Sequence, residues 1–171
     1  IFPSPLPPKG SLGVQMVEVP DGIYAASVNV PEADAVCSTV RDLIRLNPRA
    51  SIGVVALNQP QKDVLTELFD RLFAENDDLE AYRSSWATTL EPFFIKNLEN
   101  VQGDERDVIV ISTVYGRSGA GAPVYQRFGP INSRMGHRRL NVLFTRAKER
   151  VVVVTSLRPE DIQLQAGSSS G

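Results

Sequence analysis

The sequence predicts an α/β domain of three layers, with a mainly parallel central sheet and helices on both faces. Residues 51–57, 108–113 and 150–155 are apolar runs rich in Val and Ile, the composition of strands buried on both sides. Between such runs lie segments whose apolar residues keep helical spacing, and that alternation builds parallel sheets. The length of 171 residues, with 42% hydrophobic and 22% charged, suits one domain with a core of its own.

Each element follows from local patterning. Residues 1–20 hold five of the 12 prolines, at positions 3, 5, 7, 8 and 20, and read as an extended connecting segment. The domain proper is placed at 21–158. Its first strand is read at 22–28, Gly-Ile-Tyr-Ala-Ala-Ser-Val. A helix follows from Pro31, a residue suited to a first helical turn, with Ala33, Val36, Val40, Leu43 and Ile44 on one face. Asn47-Pro48 stops it. The second strand, at 51–57, leads to a helix that starts at Pro60 and turns Val64, Leu65, Leu68, Phe69, Leu72 and Phe73 inward. A short helix is read over 79–86, where Trp86 is a core or lid residue rather than a platform for a base. The third strand is read at 92–98 and the fourth at 108–113. A Gly-rich loop follows at 116–121, then a helix, then the fifth strand at 150–155. Residues 159–171 read as a flexible tail opening on a short helical turn.

Charge and cysteine usage narrow the function. A net charge of −2 argues against a protein that holds nucleic acid by overall charge. Yet six of the 18 Lys and Arg residues fall in 134–150, opposed only by Glu149, so one face is expected to be basic. The single cysteine, Cys37, excludes an intramolecular disulfide and a cysteine-based zinc cage. No apolar run approaches a membrane span and no signal-peptide pattern opens the chain, so a cytoplasmic location without membrane contact is expected.

Several chemistries fail on their residues. The loop Gly116-Arg117-Ser118-Gly119-Ala120-Gly121 is no phosphate loop, because Gly-Lys-Ser/Thr occurs nowhere in the chain. No Asp-Glu pair follows an apolar strand directly, and there is no Gly-x-Ser-x-Gly elbow. Taken alone, this chain is expected not to hydrolyse a nucleotide. Glu99, Asp104, Glu105 and Asp107 admit two readings, a divalent-metal cluster or turn charges facing water. Their spacing favours the second, and no metal is assigned. The segment from Gly136 to Lys148 carries Arg139 and Arg146 seven residues apart, which places them on one helical face. Leu140, Leu143, Phe144 and Ala147 form an adjacent apolar stripe. A rigid holder of guanidinium groups for phosphate and a solvated surface helix both fit that pattern.

Three stretches, in order, resemble the second RecA-like domain of superfamily 1 helicases. The resemblance is to the branch that holds the nonsense-mediated-decay RNA helicase and the DNA replication helicase-nuclease, and within it to very large bacterial proteins. Ile52-Gly53-Val54-Val55-Ala56-Leu57-Asn58-Gln59-Pro60-Gln61-Lys62 looks like motif IV, a strand followed by a Gln and a basic residue. Gln102-Gly103-Asp104-Glu105-Arg106-Asp107 looks like motif V, and Arg138-Arg139-Leu140-Asn141-Val142-Leu143-Phe144-Thr145-Arg146-Ala147 like motif VI. Asn29-Val30-Pro31-Glu32-Ala33 is similar to the Asn-x-x-Glu-Ala that opens the domain in this branch.

The resemblance implies a RecA-like fold of the P-loop NTPase type and an ATP-dependent helicase. ATP and Mg2+ would sit against an N-terminal RecA-like domain of the same parent chain, and single-stranded DNA or RNA would be the other partner. Residue by residue, it implies Arg146 as the arginine finger and Glu105 as a ribose acceptor, with Gly103 giving close backbone approach. Gln61 and Lys62 would lie near the phosphates, and Arg139 would be a second anion contact. Asn97 and Asn100 would touch the nucleic-acid backbone. Relatives have Thr-Pro-Tyr where this chain has Ala56-Leu57-Asn58, and the decay helicase has an arginine where this chain has Tyr115. Two other classes stay open: a degenerate scaffold without an ATP cycle, and a nuclease using the 99–107 carboxylates.

Overall fold

All five strands of the sheet are parallel, in the order β1-β5-β4-β2-β3, in a computed structural model that describes residues 12–119, 121–125 and 128–162. In chain order the elements are β1 (Gly13–Glu18), α1 (Val30–Leu46), β2 (Ile52–Ala56), α2 (Gln59–Ala74), α3 (Asp77–Ala87), β3 (Phe94–Asn97), β4 (Arg106–Ser112), α4 (Gly136–Phe144) and β5 (Ala147–Thr155). Short 3-10 turns occupy Gly129–Asn132 and Pro159–Asp161. The α/β three-layer architecture is therefore present. Among the described residues no helix is long and apolar enough to cross a membrane.

Alternation along the strands makes two cores. Ile52, Val54, Ala56, Val108, Val110, Val152 and Val154 face α1, α2 and α3, where Val36, Leu65, Phe69 and Leu79 meet them. Val55, Ile109, Ile111 and Val151 face the other way, toward Leu143 of α4 and the loop residues Leu98, Val101, Val114 and Tyr115. Burying a side chain such as Leu65 or Phe69 stabilises the fold by roughly 1.5–3 kcal/mol. Trp86 packs against the first core, as the core reading of that residue expects.

Two sequence expectations give way. The first strand is not at 22–28 but at Gly13–Glu18, inside the proline-rich stretch read as a connector. Residues 22–28 form a turn, because Ala26 and Ser27 have φ of 48° and 68° and only isolated bridges, Ile23 to Arg117 and Ala25 to Val28, involve the segment. As an edge strand paired only with β5, β1 stays largely exposed and shows no buried alternation to read. The second correction concerns the arginine helix. It ends at Phe144, Thr145 caps it, and Arg146 stands beyond it on the turn into β5. Arg139 and Arg146 therefore do not share a helical face. The rest of the chain read as connector or tail, 1–11 and 163–171, lies outside the described residues.

Polar ties lock both ends of the sheet. At the carboxyl end, Asn29 caps α1 by accepting from the Glu32 N–H at 3.2 Å, while its amide donates to the Val114 carbonyl and to Ser156 Oγ at 3.1 and 2.9 Å. Glu32, fully buried, accepts from Ser112 Oγ at 2.7 Å, Val114 N at 2.6 Å and Ser156 N at 3.1 Å. These bonds grip Val114 on both sides and hold it at a φ of 70°, which a β-branched residue rarely adopts. At the amino end, the Ser51 N–H donates to Asp107 Oδ2 at 2.8 Å and the Asp107 N–H donates to Ser51 Oγ at 2.9 Å.

Candidate functional site

The loop from β3 to β4 is built to present its tip. Leu98 and Val101 are buried and anchor it, while Gln102, Gly103 and Glu105 face solvent. Gly103 has a φ of 92° and open space where a side chain would stand, so only glycine adopts this turn without strain. The far end is pinned by Arg106, which is 4% exposed and lies over the Phe94 ring at 4.6 Å. Its guanidinium donates to the Pro92 carbonyl at 2.9 and 2.7 Å and to the Glu105 carbonyl at 2.6 Å.

Arg146 meets this loop from the α4–β5 turn. Its carbonyl accepts from the Arg106 N–H at 3.0 Å, and its own N–H donates to Leu143 O at 3.1 Å. The guanidinium donates from Nε to the Val142 carbonyl at 3.1 Å and from Nη2 to Thr145 Oγ1 at 3.3 Å. Nη1 lies 3.6 Å from Glu105 Oε1. Seven residues back, in α4, Arg139 Nη1 lies 3.5 Å from Glu99 Oε1. A cleft of about 380 Å³ opens there, lined by Leu98, Glu99, Gln102, Met135, Arg138, Arg139 and Val142. Two arginines of one segment thus face two carboxylates of the other, and the Arg139–Glu99 pair borders the cleft.

The other predicted site residues lie elsewhere. Lys62 starts α2 at the carboxyl end of β2, with its ammonium 3.3 Å from Asp63. Gly103 and Glu105 precede β4, whose start is paired with that of β2. Four strand steps of about 3.3 Å, roughly 13 Å, separate the two ends. Lys62 is therefore not brought to Glu105 and Arg146. Gln61 is a correction. Its side chain is fully buried, accepts from the Asn29 N–H at 2.8 Å, and donates to the Asn29 carbonyl at 2.9 Å and Ser112 Oγ at 3.3 Å. With both ends of the amide engaged, it joins α1 to α2 and has nothing to offer a phosphate. Asn97 donates to Gln59 Oε1 at 2.7 Å and accepts from the Asn100 N–H at 3.0 Å, so the pair shapes the turn after β3, where Asn100 is exposed.

The four carboxylates of 99–107 do not converge. Asp104 accepts from Lys96 at 2.6 Å, Asp107 is tied to Ser51, and Glu99 and Glu105 face separate arginines. Among the described residues, no three His, Cys, Asp or Glu side chains gather where a metal would be held. Glu91 sits between Lys148 and Ser51, and the Lys148 ammonium holds its carboxyl below the ordinary value. Cys37 is half-buried, and desolvation pushes its thiol up to about 12, so it is no nucleophile at neutral pH. Arg138, Met135 and Ser51 were not singled out from the sequence. Arg138 carries no signal beyond membership of the motif VI segment, Met135 lies just ahead of that segment, and Ser51 depends on a partner 56 residues away.

Residues 14–158 match a family model described as an AAA domain. The chain is 37% identical over 157 residues to a protein of Mycoplasma genitalium named "Uncharacterized ATP-dependent helicase MG140", covering 90% of this chain and 13% of that protein. It is 34% identical, with the same coverage, to a homolog of that protein in Mycoplasma pneumoniae. The chain thus spans about an eighth of the length of these curated relatives, 13% in each case. By a match that runs from β1 to the end of β5, the chain belongs to this AAA domain family.

Proposed function

We propose that this chain is the second, carboxyl-terminal RecA-like motor domain of an ATP-dependent nucleic-acid helicase or translocase of superfamily 1. The observation that carries the reading is the meeting of Arg146 and Glu105, 3.6 Å apart, at the amino ends of β4 and β5, with Arg139 in the adjoining groove. An ion pair at that separation, with Glu105 exposed, contributes little to stability and yields readily to a stronger anion. Arg146 is held by Val142 and Thr145, which keeps the guanidinium beside Glu105. The residues fit one half of a nucleotide site: a fixed cation, a carboxylate acceptor and a glycine without a side chain in the way.

ATP, when bound with Mg2+, supplies the phosphoryl group whose transfer drives the cycle, and the N-terminal RecA-like domain of the parent chain supplies the magnesium ligands. Arg146 reaches the terminal phosphate across the domain gap and offsets the charge that develops there. Glu105 releases Arg146 and accepts from a ribose hydroxyl, Gly103 lets the backbone approach, and Arg139 holds a second anionic oxygen. Closing and opening of the gap moves a single strand of DNA or RNA. A cytoplasmic setting goes with this reading. The names of the Mycoplasma relatives support it.

The decisive measurement is ATP turnover of the full-length protein carrying Arg146→Ala. Turnover is expected to fall by about 10³ or more, with nucleotide affinity changed far less. Turnover within a few-fold of wild type removes Arg146 from the site. A parent protein with no nucleic-acid-stimulated turnover at all favours the scaffold reading.

A further inference from the structure

At the opposite end of the sheet, beyond β4, lies a cleft of about 430 Å³ lined by Tyr24, Tyr115, Gly116, Ser118 and Tyr125. Ligands of parallel α/β sheets gather beyond the carboxyl ends of the strands. Tyr115 is the fixed wall: it is buried, and its ring meets Phe128 edge-on at 5.4 Å and Tyr24 tilted at 5.4 Å. Tyr24 is set by its backbone, whose N–H donates to the Arg117 carbonyl at 2.9 Å. Tyr125 is 71% exposed, an aromatic ring left in water beside two others.

The charge pattern says what kind of group belongs here. None of the five lining residues carries a charge. Arg117 and Arg158 line a separate hollow, with Asp21 among its lining residues. Arg117 is taken by Asp161 at 2.7 Å, and Arg158 lies 3.9 Å from Glu160. A flat, neutral, polarisable ring finds the exposed Tyr125 ring to stack on, with Tyr24 and Ser118 lining the cleft beside it.

We propose that this cleft holds a base of a single-stranded nucleic acid by stacking, an inference that rests on the motor reading above. The Gly-rich loop, excluded as a phosphate loop, then forms part of a base pocket. Stacking on tyrosine is sequence-tolerant, and its contribution is independent of counterion release, unlike contacts to phosphate.

The test is equilibrium binding of fluorescein-labelled oligothymidylate to the full-length protein and its Tyr125→Ala and Tyr125→Phe variants, at low and at physiological salt. Tyr125→Ala is expected to weaken binding about ten-fold, by the same factor at both salt concentrations, while Tyr125→Phe stays within about two-fold of wild type. An oligonucleotide with abasic sites throughout should bind wild type and Tyr125→Ala alike. Equal affinity of Tyr125→Ala and wild type for oligothymidylate overturns the base pocket and leaves the motor reading intact. A Tyr125 effect that disappears with rising salt also overturns it. So does a proline-rich peptide binding the wild type, but not Tyr125→Ala, in place of the oligonucleotide. Wild-type protein that binds no oligonucleotide overturns both readings together. Tyr125 is exposed, so a folding failure of its variants is not expected, and near-identical circular dichroism checks that.

Discussion

Glu32 is a carboxyl group taken wholly out of water, and burial pushes its proton affinity up from the ordinary value of 4.5. Hydrogen bonds from Val114, Ser112 and Ser156 pull the other way without cancelling desolvation. A folded value raised above the unfolded one gives stability that is fully present below 4.5 and lost as pH rises through the folded value. Urea midpoints of wild type are therefore expected to fall through that window, and Glu32→Gln, whose amide does not ionise, should lack that component. Identical pH slopes for the two proteins would remove Glu32 as its source. The Asn-x-x-Glu-Ala opening was legible in the sequence, but the carboxylate's task was not. Its partners Ser112 and Ser156 lie 80 and 124 residues away, and only the fold brings them together. Gln61 misled for the same reason: its neighbours in sequence place it by a phosphate site, whereas its neighbours in space are Asn29 and Ser112.

Helix α4 shows what periodicity reads well and what it misses. Leu143 is buried, as the apolar stripe required, but Phe144 stays 40% exposed and the helix stops before Arg146. Only nine residues long, it is placed by its ends more than by its face. At the start, a Cβ on Gly136 would lie 1.7 Å from the Ile131 carbonyl oxygen, so the backbone of the preceding turn closes directly on the helix. Gly136→Ala is expected to destabilise the protein by about 1–3 kcal/mol and to speed amide exchange across α4 ahead of the sheet. Unchanged exchange there would mean the turn yields without disturbing the helix. Strand β1 is the opposite case. A strand exposed along most of its length, with a partner more than a hundred residues downstream, leaves no alternation, and prolines nearby suggested a linker.

Across the whole molecule, the two proposed sites stand at opposite ends of the sheet. The pair of Arg146 and Glu105 lies at the amino ends of β4 and β5, and the tyrosine cleft beyond the carboxyl end of β4. Each end has its own tie, Ser51 with Asp107 at one and Glu32 with Ser112 and Ser156 at the other. Ser51→Ala leaves the Asp107 N–H without its acceptor, which should cost about 1–3 kcal/mol. Because the ties stand a strand length apart and share no partner, the losses in Ser51→Ala and Glu32→Gln should add to within about 0.5 kcal/mol. A larger discrepancy in denaturant unfolding would show the sheet transmitting strain from end to end.

By itself the sequence determined the fold class, the helices α1 and α2, and the buried strands β2, β4 and β5, because those rest on apolar periodicity within a short window. It also supplied the order of motifs from which the arginine and the carboxylate were picked. Tertiary structure alone decided that Arg146 stands off the helix beside Glu105, that Gln61 is buried, and that Tyr24, Tyr115 and Tyr125 share a cleft. Those facts depend on contacts between residues far apart in the chain. Local patterns fix which way a segment faces; only the completed sheet fixes what it faces.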